Sequence, residues 1–176
     1  MFLTAQKTSV NNFLDLLNVN ITEDYVDLYL PEKMFESLGD ITLKATTGDI
    51  SWVNCPTNAK SLTLKSTTGD MFIHNIKVDG NIKSKVTTGE VQFIGVDAKS
   101  FDIDVTTGNV YASLFTPKDY RVSTTTGNQK VPKEKGTDIF KCNTTTGNIT
   151  VKINPVYDAW ADPYEYFDEY EKSDNE

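Results

Sequence analysis

Acid–base chemistry requires titratable side chains that lie close together, and few residues of this chain offer that. Asp102 and Asp104 are spaced to share one side of a strand, where two carboxylates could act as acid and base. The only histidine is His74 and the only arginine is Arg121, and they belong to different faces of the predicted repeat. No nucleophile or phosphate-loop motif accompanies them. We therefore expect no catalytic, cofactor-binding or metal site and a protein that is not an enzyme.

A second candidate for chemistry is a series of acidic or amide side chains that each follow a Thr-Thr-Gly motif. Carboxylates stacked about 4.8 Å apart on neighbouring strands could recruit Ca²⁺. The favoured alternative is that these are turn residues, which accept hydrogen bonds from nearby backbone N–H groups. The series consists of Asp49, Asp70, Glu90, Asn109, Asn128 and Asn148.

The Thr-Thr-Gly motif occurs six times and is the strongest signal in the 176-residue chain. Its glycines are separated by 21, 20, 19, 19 and 20 residues. Apolar residues stand mostly seven and five positions before each glycine and two and four positions after it. This period-2 alternation is typical of half-buried strands, so each unit predicts two short strands and two turns. The glycines are Gly48, Gly69, Gly89, Gly108, Gly127 and Gly147.

Units of this size cannot bury an apolar face alone, whereas stacked units share one core. The repeat therefore predicts an all-β, single-domain parallel β-solenoid with coils of about 20 residues, in which consecutive coils are neighbours. Parallel crossovers favour a right-handed path. In this order Asp102 lies between Lys83 and Arg121, and one threonine of each motif faces inward. Gln129 is the exception to the apolar pattern after the glycine.

Charge is distributed unevenly along the chain. The chain carries 17 Lys and Arg against 25 Asp and Glu, a formal net charge of −8. Residues 154–176 alone hold eight acids and one base, together with regularly spaced aromatic side chains. We predict a lead-in and cap over residues 1–30, the repeat solenoid over residues 31–153, and an acidic aromatic tail or C-terminal cap over residues 154–176.

Composition excludes several classes of partner. The acidic balance argues against nucleic acid, and no apolar run reaches the roughly 20 residues of a membrane span. The first residues lack the basic and apolar regions of a signal peptide. Cys55 and Cys142 belong to coils several strand spacings apart, so we expect two free thiols rather than a disulfide.

Two outward strand faces form the candidate partner surface. Surplus lysines on the first strand of the coils could meet an anionic polymer or the protein's own acidic tail, or could belong to a ladder of ion pairs. Apolar side chains on the second strand form a row that we expect to be exposed, and that could bind a protein partner or a second copy. The predicted surface consists of Phe72, His74, Ile94, Tyr111, Lys44, Lys65 and Lys85.

Residues 20–153 resemble a bacterial family of adhesin-like β-strand repeat proteins, whose toast-rack-like domain has no assigned function. The resemblance rests on the spaced TTGD and TTGN motifs, the lead-in VDLYLPE and the closing FKCNTTTGNITVKI. It implies a non-catalytic structural or interaction module at the bacterial cell envelope or outside the cell, with an envelope polymer or a protein as partner. A carbohydrate-binding or carbohydrate-active domain is one alternative. A cytoplasmic scaffold is another, since no signal or anchor is found.

Overall fold

A computed structural model describes residues 16–21, 39–53 and 59–154, and every regular element in these ranges is a β-strand. None of these residues belongs to a helix that could cross a membrane. The strands are β1 (Leu16–Ile21), β2 (Asp40–Thr47), β3 (Ile50–Val53), β4 (Ala59–Thr68), β5 (Met71–Thr88), β6 (Val91–Asp97), β7 (Ser100–Thr107), β8 (Val110–Leu114), β9 (Asp119–Thr126), β10 (Gln129–Lys130), β11 (Ile139–Thr146) and β12 (Ile149–Ile153).

The strands form two sheets, and every strand pairing is parallel. The first sheet runs β1, β2, β4, the second half of β5, β7, β11 and β9. The second sheet runs β3, the first half of β5, β6, β8, β12 and β10. The predicted all-β parallel solenoid is confirmed, whereas its right-handed path stays a prediction. β1 lies within the predicted lead-in, and the acidic tail and Cys55 lie outside the described residues.

The core lies between the two sheets, where the predicted alternation directs the apolar side chains. Ile41 is 1% exposed and Leu43 is 8% exposed, while their outward neighbours on β2 are half-buried or exposed. The confirmed inward positions are Ile41, Leu43, Leu62, Leu64, Ile82, Phe101, Ile103, Phe140, Cys142, Ile50, Met71, Ile73, Val91, Phe93, Val110, Ala112, Ile149 and Val151.

The coils do not stack in chain order. We number them 1 to 6 by their successive Thr-Thr-Gly glycines, from Gly48 to Gly147. Phe140 of coil 6 is in register with Phe101 of coil 4 on one side and with Tyr120 of coil 5 on the other. The spatial order is therefore 1, 2, 3, 4, 6, 5, and the expectation that consecutive coils are neighbours is wrong for coils 4 and 5, which coil 6 separates.

The polarity of coil 5 gives a physical reason for this order. A terminal coil has a neighbour on one side only, so its inward side chains stay partly in water. Val122 of coil 5 is only half-buried and Gln129 is exposed. In coil 6, by contrast, Phe140 and Ile149 are both 0% exposed. Placing coil 6 inside the stack buries its apolar residues, each of which contributes roughly 1.5–3 kcal/mol.

Two connections cross at one corner of the solenoid as a result. The segment 115–118 connects coil 4 to coil 5 and passes the level of coil 6. The segment 131–138 connects coil 5 to coil 6. They approach closely at Gly136, where a Cβ atom would lie 2.0 Å from the carbonyl oxygen of Pro117. Glycine is required there because the backbone of the other connection fills the space of a side chain.

The Thr-Thr-Gly turns line the opposite edge of the stack. Gly108 has a φ of 147°, and a Cβ atom on Gly147 would lie 2.0 Å from the Gly108 carbonyl oxygen. Only glycine tolerates both the left-handed backbone and this approach. Both threonines of each motif are exposed, so the expected inward threonine is wrong. Each first-sheet strand ends at the second threonine, so both threonines belong to the exposed edge at the turn.

Candidate functional site

The outer face of the first sheet carries an uneven distribution of charge. On β2, β4 and β5, four lysines point outward and no acid accompanies them in the same two rows. None of the four makes an ion pair or side-chain hydrogen bond within the described part of the chain. We call this set the lysine face. It consists of Lys44, Lys65, Lys83 and Lys85.

The other half of the same face, on β7, β11 and β9, carries charges of both signs that make ion pairs and hydrogen bonds. Lys141 Nζ lies 2.9 Å from Asp102 Oδ1, and this contact raises the pKa of the Lys141 ammonium group. Arg121 instead bonds Asp119 of its own strand at 2.9 Å. The expected position of Asp102 between Lys83 and Arg121 is therefore wrong, because coil 6 brings Lys141 into the place of Arg121.

The paired carboxylates considered for acid–base chemistry are both engaged in this half. Asp102 bonds Lys141, and Asp104 Oδ1 accepts a hydrogen bond of 3.0 Å from Asn143 Nδ2. His74 lies on the other sheet, so the structure does not bring it to either carboxylate.

The acidic and amide series after the glycines bonds the backbone of the adjacent coil. Asp49 Oδ1 accepts a hydrogen bond from Asp70 N at 2.7 Å, and Asp70 Oδ1 accepts one from Glu90 N at 2.7 Å. Asn109 Oδ1 likewise accepts from Asn148 N at 2.9 Å. Among the described residues, no three His, Cys, Asp or Glu side chains are grouped to hold a metal ion. The series thus has a structural role in joining the coils.

The row of apolar side chains on the second sheet is more covered than the sequence indicates. Phe72, Ile94 and Tyr111 are half-buried, and His74 is only 4% exposed. His74 immediately precedes the corner at Asn75, whose φ of 55° breaks the alternation of the strand. The expectation of an exposed row is therefore wrong for His74. Burial lowers the pKa of its imidazole, and Nδ1 has no hydrogen-bond partner in the described structure.

A buried ionic cluster at the crossing of the two connections was not predicted from the sequence. Lys118 is 0% exposed, and its ammonium group lies 2.5 Å from Asp97 Oδ1 and 3.2 Å from Asp138 Oδ2. It also donates a hydrogen bond of 2.8 Å to the carbonyl oxygen of Ala98. The ammonium group thus makes two hydrogen bonds and an ion pair with Asp97. Lys118 lies outside the repeated positions, in the segment that connects coil 4 to coil 5, so the repeat pattern does not predict its burial.

Cys142 is a free thiol in the core of coil 6, as predicted. Burial raises its pKa to about 12, so the thiol stays protonated and unreactive at neutral pH.

The geometry defines a parallel β-solenoid domain with a basic region on the outer face of its first sheet. The chain belongs to the Toastrack DUF4097 family, a family of domains of unknown function, which it matches over residues 1–161. Comparisons with curated proteins and with solved structures gave no significant match.

Proposed function

We propose that this Toastrack domain is a non-catalytic interaction module that presents the outer face of its first sheet to a partner at the bacterial cell envelope. The observation that carries the proposal is the lysine face, where Lys44, Lys65 and Lys85 occupy the same position in three adjacent coils and make no ion pair within the described residues. Asp104, the register partner of Lys85 on β7, bonds the uncharged Asn143, so Lys44 and Lys65 are the members of this row that have no acid as a register partner. The envelope location follows from the family resemblance.

The lysine face supports a partner surface better than the second sheet does. Val131 is the only large apolar side chain among the described residues that is exposed, and it lies in the crossing connection. Phe72, Ile94 and Tyr111 therefore present little apolar area to a protein partner. Charge, rather than apolar contact, is the main means of recognition on the described surface.

The proposal is tested by sedimentation with isolated envelope fractions of a Gram-positive and a Gram-negative bacterium. We expect the wild-type protein to pellet at low salt and the triple variant of Lys44, Lys65 and Lys85 to Gln to stay in solution. A matched variant with Gln at Lys60, Lys77 and Lys99 removes the same charge at the corners and should still pellet.

Absence of wild-type pelleting, or equal pelleting of both triple variants, would contradict the proposal. The same incubations test the carbohydrate-active alternative. Release of sugars by the wild-type protein, abolished in Asp102→Ala, would show that the module is catalytic.

A further inference from the structure

The spacing of the lysines indicates which class of anionic partner fits the lysine face. Lys44, Lys65 and Lys85 are direct register partners on β2, β4 and β5. Neighbouring strands lie about 4.8 Å apart, so one positive charge recurs at that interval along the stack. A compact anion would meet at most two of these charges. A linear polymer with one anionic group per unit, lying along the stack, would meet all three.

Hydroxyl groups flank the lysines on both sides. One row of exposed threonines lies two residues further along each strand, and two more threonines lie two residues before Lys44 and Lys65. These hydroxyls both donate and accept hydrogen bonds. The flanking residues are Thr46, Thr67, Thr87, Thr42 and Thr63.

Other classes of polyanion fit this surface less well. The outward rows of β2, β4 and the second half of β5 contain no aromatic side chain on which a nucleic-acid base could stack. They contain no arginine for bidentate binding, so each anionic group meets a single point charge. A polyphosphate offers acceptor oxygens but no hydroxyl groups along its length, so the threonines could donate hydrogen bonds to it but would accept none from it.

We infer that the lysine face binds a linear polyuronate, an acidic polysaccharide with one carboxylate per sugar, laid along the stack axis. Each lysine meets a carboxylate, and the threonines bond the sugar hydroxyls on either side. Lys83 adds a fourth charge beside Lys85 in the same coil. This inference rests on the proposed function and names its ligand. The chemistry is binding only, and no bond is broken.

The test uses the full chain and polygalacturonate, with binding measured by isothermal titration at several salt concentrations. We expect the Lys44/Lys65/Lys85→Gln variant to bind about tenfold more weakly, since each exposed ion pair contributes little alone. The slope of the logarithm of its association constant against the logarithm of the salt concentration should be shallower by about 2. The reason is that three fewer lysine charges take part in releasing counterions from the polymer. The matched variant at Lys60, Lys77 and Lys99 should bind like the wild type.

Three comparisons separate charge from sugar recognition. Fully methyl-esterified polygalacturonate should not bind, and polyphosphate should bind more weakly than polygalacturonate. Galacturonate monomer should bind far more weakly per sugar than chains long enough to span three coils. Equal binding of the esterified polymer, of polyphosphate or of the triple variant would overturn the inference. If polygalacturonate fails but envelope fractions still retain the wild type, the proposed function stands without this ligand.

Discussion

The ammonium group of Lys118 lies 2.5 Å from Asp97 Oδ1, and this ion pair joins parts of the chain that belong to different coils. Asp97 ends coil 3, whereas Lys118 lies in the connection that passes coil 6 on its way to coil 5. The lysine side chain is 1% exposed and the aspartate side chain 13% exposed. Because Lys118 also contacts Asp138, which precedes coil 6, the cluster holds both crossing connections at one corner.

Replacement of Lys118 should therefore destabilise the C-terminal coils. We expect Lys118→Met to lower the free energy of unfolding by about 3 kcal/mol, because it leaves the Asp97 carboxylate buried without its cation. Arg121→Met is the matched control, since Arg121 and Asp119 are 61% and 38% exposed and their pair should contribute less than about 1 kcal/mol. Urea denaturation measures both, and equal losses would show that the buried cluster stabilises the fold no more than the exposed pair does.

The two aromatic residues at the same position of coils 5 and 6 should differ in their contribution to stability. Phe140 is 0% exposed, and its ring centroid lies 5.2 Å from that of Phe101. We expect Phe140→Ala to cost about 3–5 kcal/mol, because the cavity is enclosed by coils on both sides. Tyr120→Ala, on the half-buried terminal coil, should cost less than about 2 kcal/mol. The reverse ranking would place coil 5 inside the stack.

The buried imidazole of His74 should make the folded protein less stable in mild acid. Burial lowers the pKa of His74 below its usual 6.5 in the folded protein, and its register neighbours Val53 and Ile94 carry no titratable group. As the pH falls below about 6.5, the unfolded chain binds the proton first, so stability decreases until the pH passes the lower folded pKa. Thermal unfolding at pH 7.5 and 5.0 should show a smaller decrease in His74→Gln than in the wild type. An identical decrease would contradict the buried position of the imidazole.

The rate at which a thiol reagent labels Cys142 should measure how often coil 6 opens. Its thiol is 0% exposed and its pKa is raised to about 12, so a thiol reagent should react only when the coil opens. In a Cys55→Ser background, labelling in native buffer should be slower than in urea by several orders of magnitude. Lys118→Met should accelerate the native reaction. Labelling of the wild type at the rate of a free thiol would show that coil 6 is not enclosed.

Much of the fold could be predicted from the repeat. The alternation around each glycine specifies which side chains are inward, and Ile41, Phe93 and Ile149 are buried accordingly. The lysines of β2, β4 and β5 could be placed on one face for the same reason. These predictions succeed because strand alternation and parallel register depend on local sequence.

The coil order could not be predicted from equal spacing, because spacing does not distinguish a coil that stacks next from one that is inserted. Gln129 did indicate the position of coil 5, because a polar side chain at an inward position suits a terminal coil. In the sequence it is only an exception to the apolar pattern. The ionic cluster of Lys118 follows from the crossing and was missed with it. His74 was misplaced because the left-handed corner at Asn75 has no glycine to mark it.

The coil order decides which charges neutralise each other on the first sheet, and disulfide cross-linking tests it most directly. In a Cys55→Ser/Cys142→Ala background, cysteines replace Asp104 and Asn143, which are in register on β7 and β11. Their Cα atoms should lie about 4.8 Å apart, within disulfide range. We predict that this pair forms a disulfide and that a pair at Asp104 and Ser123, two strand spacings apart, does not. A disulfide between positions 104 and 123, with none between 104 and 143, would contradict the inserted coil.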